Sequence, residues 1–367
     1  MRKILILTGR YLPGFKDGGP LRTIVNITET LGTEYAFYIA AYDRDHGDTE
    51  PYTEIKHGEW NRVGKALVYY IEPGGFTKER ILWLSEGMDL IYLTSFYESF
   101  GYRTLALRKE GKLGMPVVLA SMGVFSNAAL GKKAFKKKVF IAMTGMLGYY
   151  TDLTWSVTSE LEAEDLKKSM GEKVKYLVAE DLPRSIVPGR REEIKKPLRF
   201  VFLSRICEHK GPGIIGKAFT YMKNKEISVD FYGPIEEKDY WSDCEKCFIE
   251  AGLHYRYLGE VNSEEVQSVL SGYDVFILPT KSENFGHVIF EALSVGLIPV
   301  IGENTPWDVE GAGFEIKPEP PALAKCLDNI IELSDAQLSE LSKNSVQLAQ
   351  SKVEEAIKNT GYRKIFQ

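Results

Sequence analysis

Short apolar runs alternate with longer segments of helical period along most of this chain. Runs such as KILILT (3–8) and RFVFL (199–203) are almost wholly apolar, as in parallel strands buried on both faces of a sheet. The predicted strands are 3–8, 35–41, 66–71, 89–93, 116–120, 153–158, 174–178, 199–203, 227–232, 255–258, 274–278 and 298–301. The predicted helices include 20–31, 98–110, 127–149, 212–222, 237–250, 263–271 and 286–296. This alternation predicts an α/β fold with parallel sheets covered by helices.

The alternation occurs twice. A stretch rich in Pro, Arg and Lys (183–197) interrupts it and is typical of an interdomain linker. Each half opens in the same way, with a strand, a loop containing glycine, and a helix. A chain of 367 residues is also too long for one compact core. We therefore predict two Rossmann-like domains, 1–185 and 198–345, that face each other across a cleft and bind ligands at the carboxyl ends of their strands.

The bulk composition excludes several classes of protein. A net charge of −5 argues against general nucleic-acid binding, which requires an excess of Lys and Arg. Cys244 and Cys247 form a single CxxC with no second pair to complete a zinc site, and four cysteines are too few for a disulfide scaffold. The apolar run at the N-terminus is shorter than a signal peptide requires, and no segment approaches the roughly 20 apolar residues of a membrane span. We expect a cytoplasmic protein.

The segment LPTKSENFGHVIFEALSVGLIPVIG (278–302) carries the strongest signal of a binding site. Glu283 lies in a loop after a strand, and Gly286 opens a helix whose second turn carries Glu291. A helix start offers free N–H groups and a positive dipole to a phosphate. Glu283 can accept hydrogen bonds from sugar hydroxyls, and Glu291 can accept them from a ribose. Two glutamates alone would indicate solvated surface acids, but their place between two buried strands favours a ligand site.

A second cluster, SRICEHKG (204–211), follows the first strand of the second half and contains Arg205 and Lys210. When a glycosidic bond to a nucleoside diphosphate breaks, negative charge grows on the β-phosphate. Two fixed cations stabilise that charge without reorganisation. The alternative is a solvated surface loop.

A third feature is the pair Gly18–Gly19 before Pro20. Proline at the first position of a helix and glycines ahead of it make a well-formed helix start that a phosphate or sugar can approach closely. Glycine pairs also occur in such loops for steric reasons alone.

Together these motifs resemble glycosyltransferase family 4, the retaining GT-B enzymes, over essentially the whole chain. The family's E-x7-E element is similar to Glu283 through Glu291, and its Arg–Lys pair is similar to Arg205 and Lys210. Flanking pieces look like bacterial surface-polysaccharide members: DFYGP (230–234), Tyr240–Trp241, and TPW (305–307). The resemblance implies the GT-B fold, with a C-terminal helix (346–367) that crosses back to the first domain.

The resemblance also implies roles for individual residues. Arg205, Lys210 and Glu283 would be catalytic. Glu283, Asn284, Phe285 and Gly286 would contact the donor sugar and diphosphate, Glu291 the ribose, and Gly18 and Gly19 the phosphates. No metal or other cofactor is expected, because cations and helix dipoles do the work that a metal would do.

Two departures from the family pattern concern the first half. Many relatives carry a histidine on the strand at 89–93 or after the strand at 116–120, where this chain reads DLIYLTSF and ASMGVFSN. The candidates for its role are Tyr92, Thr94, Ser121 and the backbone at Met122–Gly123. The usual Asn-Gly after the strand at 174–178 is replaced by AEDLPRS.

Asp43-Arg44-Asp45 is formally a DxD, the metal-binding signature of the other large glycosyltransferase fold. Two acids in three residues are common in charged loops, and nothing around this triplet supports a metal site. We expect no metal here.

The segment GKKAFKKKVF (131–140) is a local exception to the acidic balance of the chain. Lys132, Lys133, Lys136, Lys137 and Lys138 interleave with apolar residues on a predicted helix. The pattern suggests an acceptor that carries phosphate at a membrane surface, such as a polyprenyl-diphosphate-linked glycan, with peripheral membrane contact. A solvated basic helix face is the alternative.

The predicted function is retaining transfer of a hexose or N-acetylhexosamine from a nucleotide-diphosphate sugar, with UDP as the expected nucleotide. The acceptor would be a glycan or a lipid-linked glycan in surface-polysaccharide biosynthesis. The alternatives are a GT-B sugar-nucleotide epimerase, a phosphorylase, or an inactive sugar-nucleotide- or glycan-binding protein. A phosphorylase needs a pyridoxal lysine, and an epimerase needs acids and a histidine that the sequence does not place. The missing histidine is what motivates the inactive binding protein.

Overall fold

The chain forms two compact units, each built on a sheet of mostly parallel strands with helices between them. The computed structural model describes residues 1–16, 18–125, 134–184, 193–262 and 264–367. For residues 134–138 it describes the backbone and not the side chains. The first unit is Met1–Ser185 with Ala356–Gln367, and the second is Ile186–Glu355. The predicted α/β class with two Rossmann-like sheets is confirmed.

The sheet of the first unit has, within the described residues, eight strands in the order β3-β4-β2-β1-β5-β6-β7-β8. They are β1 (Arg2–Leu7), β2 (Tyr35–Tyr42), β3 (Trp60–Val63), β4 (Ala66–Ile71), β5 (Leu90–Leu93), β6 (Val117–Ala120), β7 (Thr154–Val157) and β8 (Lys175–Val178). All neighbours run parallel except β3, which runs antiparallel to β4. Side chains alternate across the sheet, so Leu5 and Leu7 enter one core while Ile4 and Ile6 enter the other.

The helices of this unit are α1 (Gly19–Leu31), α2 (Lys78–Ser85), α3 (Ser99–Lys109), α4 (Ala134–Met146) and α5 (Glu160–Met170). Helix α1 places Leu21, Ile24 and Ile27 in the core at the spacing of one helix face. Helix α4 covers part of the predicted 127–149, and residues 126–133 lie outside the described residues.

The end of the chain completes one of these two cores. The long helix α11 (Asp335–Asn359) runs from the second unit into the first and is followed by α12 (Tyr362–Ile365). Tyr362, Ile365 and Phe366 are at most 3% exposed and share a core with the β1 side chain Ile4. A Cβ at Gly361 would lie 2.2 Å from the Val178 carbonyl oxygen, so only glycine permits this approach to β8.

The second unit has, among its described residues, six parallel strands in the order β11-β10-β9-β12-β13-β14. They are β9 (Phe200–Leu203), β10 (Ser228–Tyr232), β11 (His254–Tyr257), β12 (Val275–Leu278), β13 (Ile298–Gly302) and β14 (Phe314–Ile316). The helices are α6 (Pro212–Phe219), α7 (Lys238–Ala251), α8 (Val266–Leu270), α9 (His287–Ser294) and α10 (Pro320–Glu332), besides most of α11. Because β9 lies between β10 and β12, the loops that follow these three strands meet at one edge.

Two strands were not predicted. Strand β3 (WNRV) has only 4 residues, carries two polar side chains at its centre and is half-exposed at the edge of its sheet, so it shows little of the continuous apolar run of a buried strand. Strand β14 contains only three residues. Both are edge strands, where burial on one side only weakens the pattern that reveals the central strands.

Candidate functional site

Two loops of the second unit meet at the carboxyl edge of its sheet, one after β9 and one after β12. The Lys210 Nζ atom donates to both carboxylate oxygens of Glu283, at 2.6 and 2.7 Å. The two side chains are 11% and 10% exposed. The structure therefore brings two of the three predicted catalytic residues into direct contact.

His209 joins the same two loops through both its backbone and its side chain. Its carbonyl accepts from the Lys281 N–H at 2.9 Å, and its Nε2 donates to the Ser282 carbonyl at 2.9 Å. An exposed ion pair between Lys281 and Glu208, at 2.7 Å, adds a third link. Sequence reasoning did not single out His209, because a polar residue inside a charged loop gives no sign that it bonds to another loop.

Gly211 explains how closely the loops approach. It has φ +75, and a Cβ there would lie 2.4 Å from the Pro279 carbonyl oxygen. Both the left-handed backbone and the contact require glycine at this position. Gly211 is also the N-cap of α6, so Lys210 stands directly before the glycine turn that starts this helix.

Arg205 pairs with an acid of the β10 loop and not with Glu283. Its guanidinium pairs with Glu236 at 2.7 Å, and the side chain is 53% exposed. The pairing follows from backbone bonds: the Ile206 N–H donates to the Pro234 carbonyl at 2.8 Å, and the Ile206 carbonyl accepts from the Glu236 N–H at 3.1 Å. Arg205 thus belongs to the junction of the β9 and β10 loops, whereas Lys210 belongs to the junction of the β9 and β12 loops.

Gly286, with φ +75°, is the N-cap of helix α9, which begins at His287. Next to it, Phe285 is buried, and the Trp307 Nε1 donates to the Phe285 carbonyl. Asn284 is exposed, whereas Glu291 is 8% exposed. The TPW segment at 305–307 therefore fixes the loop that carries Glu283 and Asn284 and leads into the helix start.

In the first unit, Gly18 and Gly19 precede and open α1, as the sequence predicts. Gly18 has φ +59 and ψ −124, a backbone conformation that side chains disfavour. The Arg22 N–H donates to the Gly18 carbonyl at 3.2 Å. Among the described atoms, none lies within 4 Å of a Cβ added at either glycine. The backbone here is open to a ligand.

The candidates for the role of the missing histidine are engaged within the first unit. The Tyr92 hydroxyl donates to the Ser156 hydroxyl at 3.2 Å, and the Thr94 hydroxyl to the Leu7 carbonyl at 3.3 Å. The Ser121 hydroxyl donates to the Ser156 carbonyl at 3.1 Å. All three residues are at most 9% exposed. Their hydroxyls hold strands together, and their part in catalysis stays a prediction.

The backbone at Met122–Gly123 is also tied down. Met122 has φ +47, unusual for a residue with a side chain, and the Gly123 N–H donates to the Glu162 carboxylate. The same carboxylate accepts from the Thr158 N–H at 2.6 Å. Glu162 is 6% exposed, so a buried acid fixes the loop after β6.

The Asp43-Arg44-Asp45 triplet has a structural explanation. The Asp45 carboxylate accepts from the backbone N–H groups of Phe15 and Lys16, at 2.7 and 3.1 Å. It thereby joins the loop after β2 to the loop that leads to Gly18. Within the residues that the structure describes, no group of three His, Cys, Asp or Glu could hold a metal ion.

The CxxC pair lies on α7, and both thiols are free. Burial raises the pKa of the Cys244 thiol to about 11. Because the thiolate is the form that binds metals and attacks disulfides, Cys244 is a core residue rather than a reactive one.

The basic segment falls largely outside what the structure describes. Lys132 and Lys133 lie outside the described residues, and Lys136 and Lys137 lie on α4 with side chains outside the described set. In the described part of the chain, no helix has the length and apolar character to cross a membrane.

Known proteins with the same architecture define the class of fold. Sucrose-phosphate synthase from Thermosynechococcus elongatus superposes with a TM-score of 0.72 at 16% identity, covering 100% of this chain and 99% of that one. Anabaena HepE in complex with UDP-glucose gives a TM-score of 0.72 at 15% identity, with 100% and 99% covered. This chain therefore has the GT-B fold of these enzymes.

Two sequence comparisons each cover part of the chain, and the first falls in the second unit. Residues 188–345 match the family model of glycosyl transferases group 1. The sulfoquinovosyl transferase of Arabidopsis thaliana is 30% identical over 134 residues, which are 34% of this chain and 24% of that protein. The chain thus matches only about a quarter of the length of this relative. Together with the fold, these matches support a GT-B glycosyltransferase.

Proposed function

We propose that this protein is a retaining glycosyltransferase that transfers a hexose or N-acetylhexosamine from a nucleoside-diphosphate sugar. The observation that carries the proposal is the nearly buried contact between Lys210 and Glu283 at the carboxyl edge of the second sheet. A cation for the diphosphate and an acceptor for sugar hydroxyls lie side by side there. The family-model match over 188–345 supports the same chemistry.

Lys210 and Arg205 would stabilise the leaving group. The bond between the anomeric carbon and the β-phosphate oxygen breaks, and its electron pair stays on that oxygen. Fixed cations beside the phosphate stabilise the added charge of the transition state more than they stabilise the less negative ground state. Arg205 would leave its exposed pairing with Glu236 at little cost, because such surface ion pairs are worth about 0–1 kcal/mol.

The remaining predicted residues would bind the rest of the donor. The start of α9 at Gly286, with Phe285 and Asn284 before it, would contact sugar and diphosphate, and Glu291 would accept from the ribose. The open backbone at Gly18–Gly19 would contact the phosphates. The acceptor hydroxyl would then attack the anomeric carbon from the face of the departing diphosphate, passing its proton to the departing phosphate oxygen. No metal or cofactor takes part.

The proposal extends to the substrates. The likeness in fold to HepE, which binds UDP-glucose, supports UDP as the nucleotide. The unit of 186–355 would bind the donor. The first unit would bind the acceptor, a glycan or a polyprenyl-diphosphate-linked glycan in surface-polysaccharide synthesis, at the cytoplasmic face of a membrane.

A thermal-shift screen against UDP-, GDP-, ADP- and dTDP-sugars tests the proposal. A donor at 100 times its dissociation constant should stabilise the fold by about 2.7 kcal/mol. Glu283→Gln should abolish most of the shift, whereas Glu310→Gln, an exposed acid of the same unit, should leave it unchanged. If no sugar nucleotide stabilises the protein, the proposal is wrong.

Incubation with the stabilising donor separates a transferase from two of its rivals, the epimerase and the inactive binding protein. An epimerase converts the sugar nucleotide without acceptor, and an inactive binding protein releases no nucleoside diphosphate under any condition. A transferase releases the diphosphate slowly by hydrolysis and quickly when an acceptor glycan is added. The Tyr92 and Ser121 hydroxyls are engaged in hydrogen bonds with Ser156, in the stretches where many members of the resembled family carry a histidine. The inactive binding protein is therefore the first rival to exclude.

A further inference from the structure

A buried acid that the proposed reaction does not use lies just after β8 in the first unit. Asp181 is 8% exposed, and the next residue, Leu182, is 1% exposed. The backbone that leads to them is held to the sheet, because the Ala179 N–H donates to the Val157 carbonyl at 2.8 Å. A buried carboxyl group needs hydrogen-bond partners. Two other elements of the first unit supply them.

Helix α1 is the first of these elements. Thr23 and Asn26 are three residues apart on α1, so they lie on one side of the helix, and both are buried. The Thr23 hydroxyl donates to the Asp181 carboxylate. The Asn26 Nδ2 donates to the Leu182 carbonyl at 2.7 Å. Because Thr23 lies one turn after Gly19, these bonds hold the beginning of the helix.

The C-terminal segment (360–366) is the second element. The Tyr362 hydroxyl donates to the Asp181 Oδ1 atom at 3.4 Å, and both residues are buried. A further hydrogen bond joins the side chains of Tyr362 and Tyr92. The Tyr92 hydroxyl in turn donates to the Ser156 hydroxyl at 3.2 Å. Asp181 therefore belongs to a buried polar network that joins α1, the end of β8, the C-terminal segment and two further strands.

The surroundings of Asp181 disfavour a negative charge. Burial is the main cause that raises the pKa of its carboxyl group, to about 7, and the neighbouring carboxylates of Glu162 and Glu180 raise it further. The hydrogen bonds to the carboxylate act in the opposite direction. The titratable side chains that interact with Asp181 come from α5, the next position in the chain, the C-terminal segment and β5: Glu162, Glu180, Tyr362 and Tyr92. When the carboxyl group ionises, the elements around it must loosen to let water reach the charge.

We propose that Asp181 is a positioning residue that fastens α1 and the C-terminal segment to the end of β8 and thereby holds the backbone of Gly18 and Gly19 in place. The link to the donor rests on the proposed function, in which this backbone contacts the phosphates. Affinity for the donor should then fall as Asp181 ionises. The network itself requires nothing of the donor chemistry.

The pH dependence of UDP-glucose binding to the full chain, measured by calorimetry, tests the positioning. In the unaltered protein, the Kd should rise roughly tenfold from about pH 6 to about pH 8. Asp181→Asn has nearly the same shape and no charge, so its Kd should stay constant over this range. Glu164→Gln is the matched control, because it removes an exposed acid of α5, and it should behave like the unaltered protein.

Urea unfolding tests the network without a donor. A carboxyl group whose pKa is raised on folding stabilises the protein below its usual pKa, and this stability is lost as the pH rises towards about 7. From about pH 5 to about pH 7, the unfolding constant of the unaltered protein should therefore rise roughly tenfold or more relative to that of Asp181→Asn.

Hydrogen exchange shows which elements the acid holds. At about pH 8, amides of α1 and of the C-terminal segment should exchange roughly tenfold faster in the unaltered protein than in Asp181→Asn. Tyr362→Phe should speed exchange in α1 by a similar factor at about pH 6, because it removes a hydrogen bond to the acid. Tyr35→Phe is the matched control and should leave α1 unchanged, because its hydroxyl donates to the Arg363 carbonyl, at 3.5 Å, and not to Asp181.

Two results would overturn the inference: a Kd of Asp181→Asn that depends on pH as in the unaltered protein, or exchange in α1 that neither substitution changes. If Asp181→Asn alters unfolding alone, the acid stabilises the fold and does not position the glycine backbone. A failure of the unaltered protein to bind UDP-glucose at any pH counts against the proposed function instead. The exchange in α1 then decides whether Asp181 holds the helix.

Discussion

Each unit begins with a strand, a loop that contains glycine, and a helix. The surroundings of the glycine differ between the two loops. A Cβ at Gly211 would collide with the Pro279 carbonyl oxygen at 2.4 Å. A Cβ at Gly19 would meet none of the described atoms within 4 Å. In the second unit glycine allows two loops to pack together, whereas in the first unit it leaves the backbone exposed.

The difference shows that a loop at the same topological position can either hold charged side chains in place or leave its backbone accessible. The loop after β9 is tied to its neighbour by the Lys210–Glu283 pair and by His209, so its charges are held in place. The loop after β1 is tied farther back, through Asp45, and no described atom lies within 4 Å of a Cβ added at Gly18 or Gly19. Preorganised charge suits a developing anion, while an accessible backbone suits a substrate that must enter and leave.

The largest effect should come from Lys210→Met. It should reduce kcat/KM by about a hundred- to a thousandfold, because a cation at the leaving group is lost. It should also lower the free energy of unfolding by about 3 kcal/mol, because Glu283 is left nearly buried without its partner. Initial rates of diphosphate release and urea unfolding measure the two effects.

The double variant Lys210→Met/Glu283→Gln separates the two effects. It should recover most of the lost stability, since the unpaired carboxylate is gone, while its activity stays low. Native activity in either variant would show that Lys210 does not take part in the reaction.

Gly211→Ala should have the next largest effect and acts on stability. The methyl group adds a clash with the Pro279 carbonyl to the cost of a left-handed backbone, so the free energy of unfolding should fall by about 2–4 kcal/mol. Gly252→Ala is the matched control, because Gly252 also has φ +75 but has no described atom within 4 Å of an added Cβ. It should cost only about 1–2 kcal/mol. Equal losses in urea unfolding would mean that the β9 and β12 loops are not held together by close packing.

Gly19→Ala should have the smallest effect on stability. Alanine favours a helix and meets open space, so the free energy of unfolding should change by no more than about 0.5–1 kcal/mol, upward. Affinity for the donor, measured by calorimetry, should fall roughly tenfold, or about 1.4 kcal/mol. An unchanged affinity would show that the first glycine loop does not contact the donor, and the contrast between the two loops would then concern packing alone.

Central strands and the loops that follow them were predictable from sequence for a physical reason. Strands buried on both faces must be apolar throughout, and loops after neighbouring parallel strands must meet, which is why Lys210 and Glu283 could be expected near each other. The edge strands β3 and β14 were not predicted, because they lack that burial. The ion pair between Arg205 and Glu236 was not predicted either, because it depends on backbone hydrogen bonds between the β9 and β10 loops, which do not depend on residue type.

The return of the chain to its first unit has a consequence for biosynthesis on the ribosome. Tyr362, Ile365 and Phe366 fill a core whose other buried members lie between Ile4 and Leu182, at least 180 positions earlier in the chain. While the second sheet can assemble as soon as its own strands emerge, the first retains an unfilled apolar slot until translation reaches those aromatic side chains. We therefore expect the first unit, although most of it is synthesised first, to complete its core last.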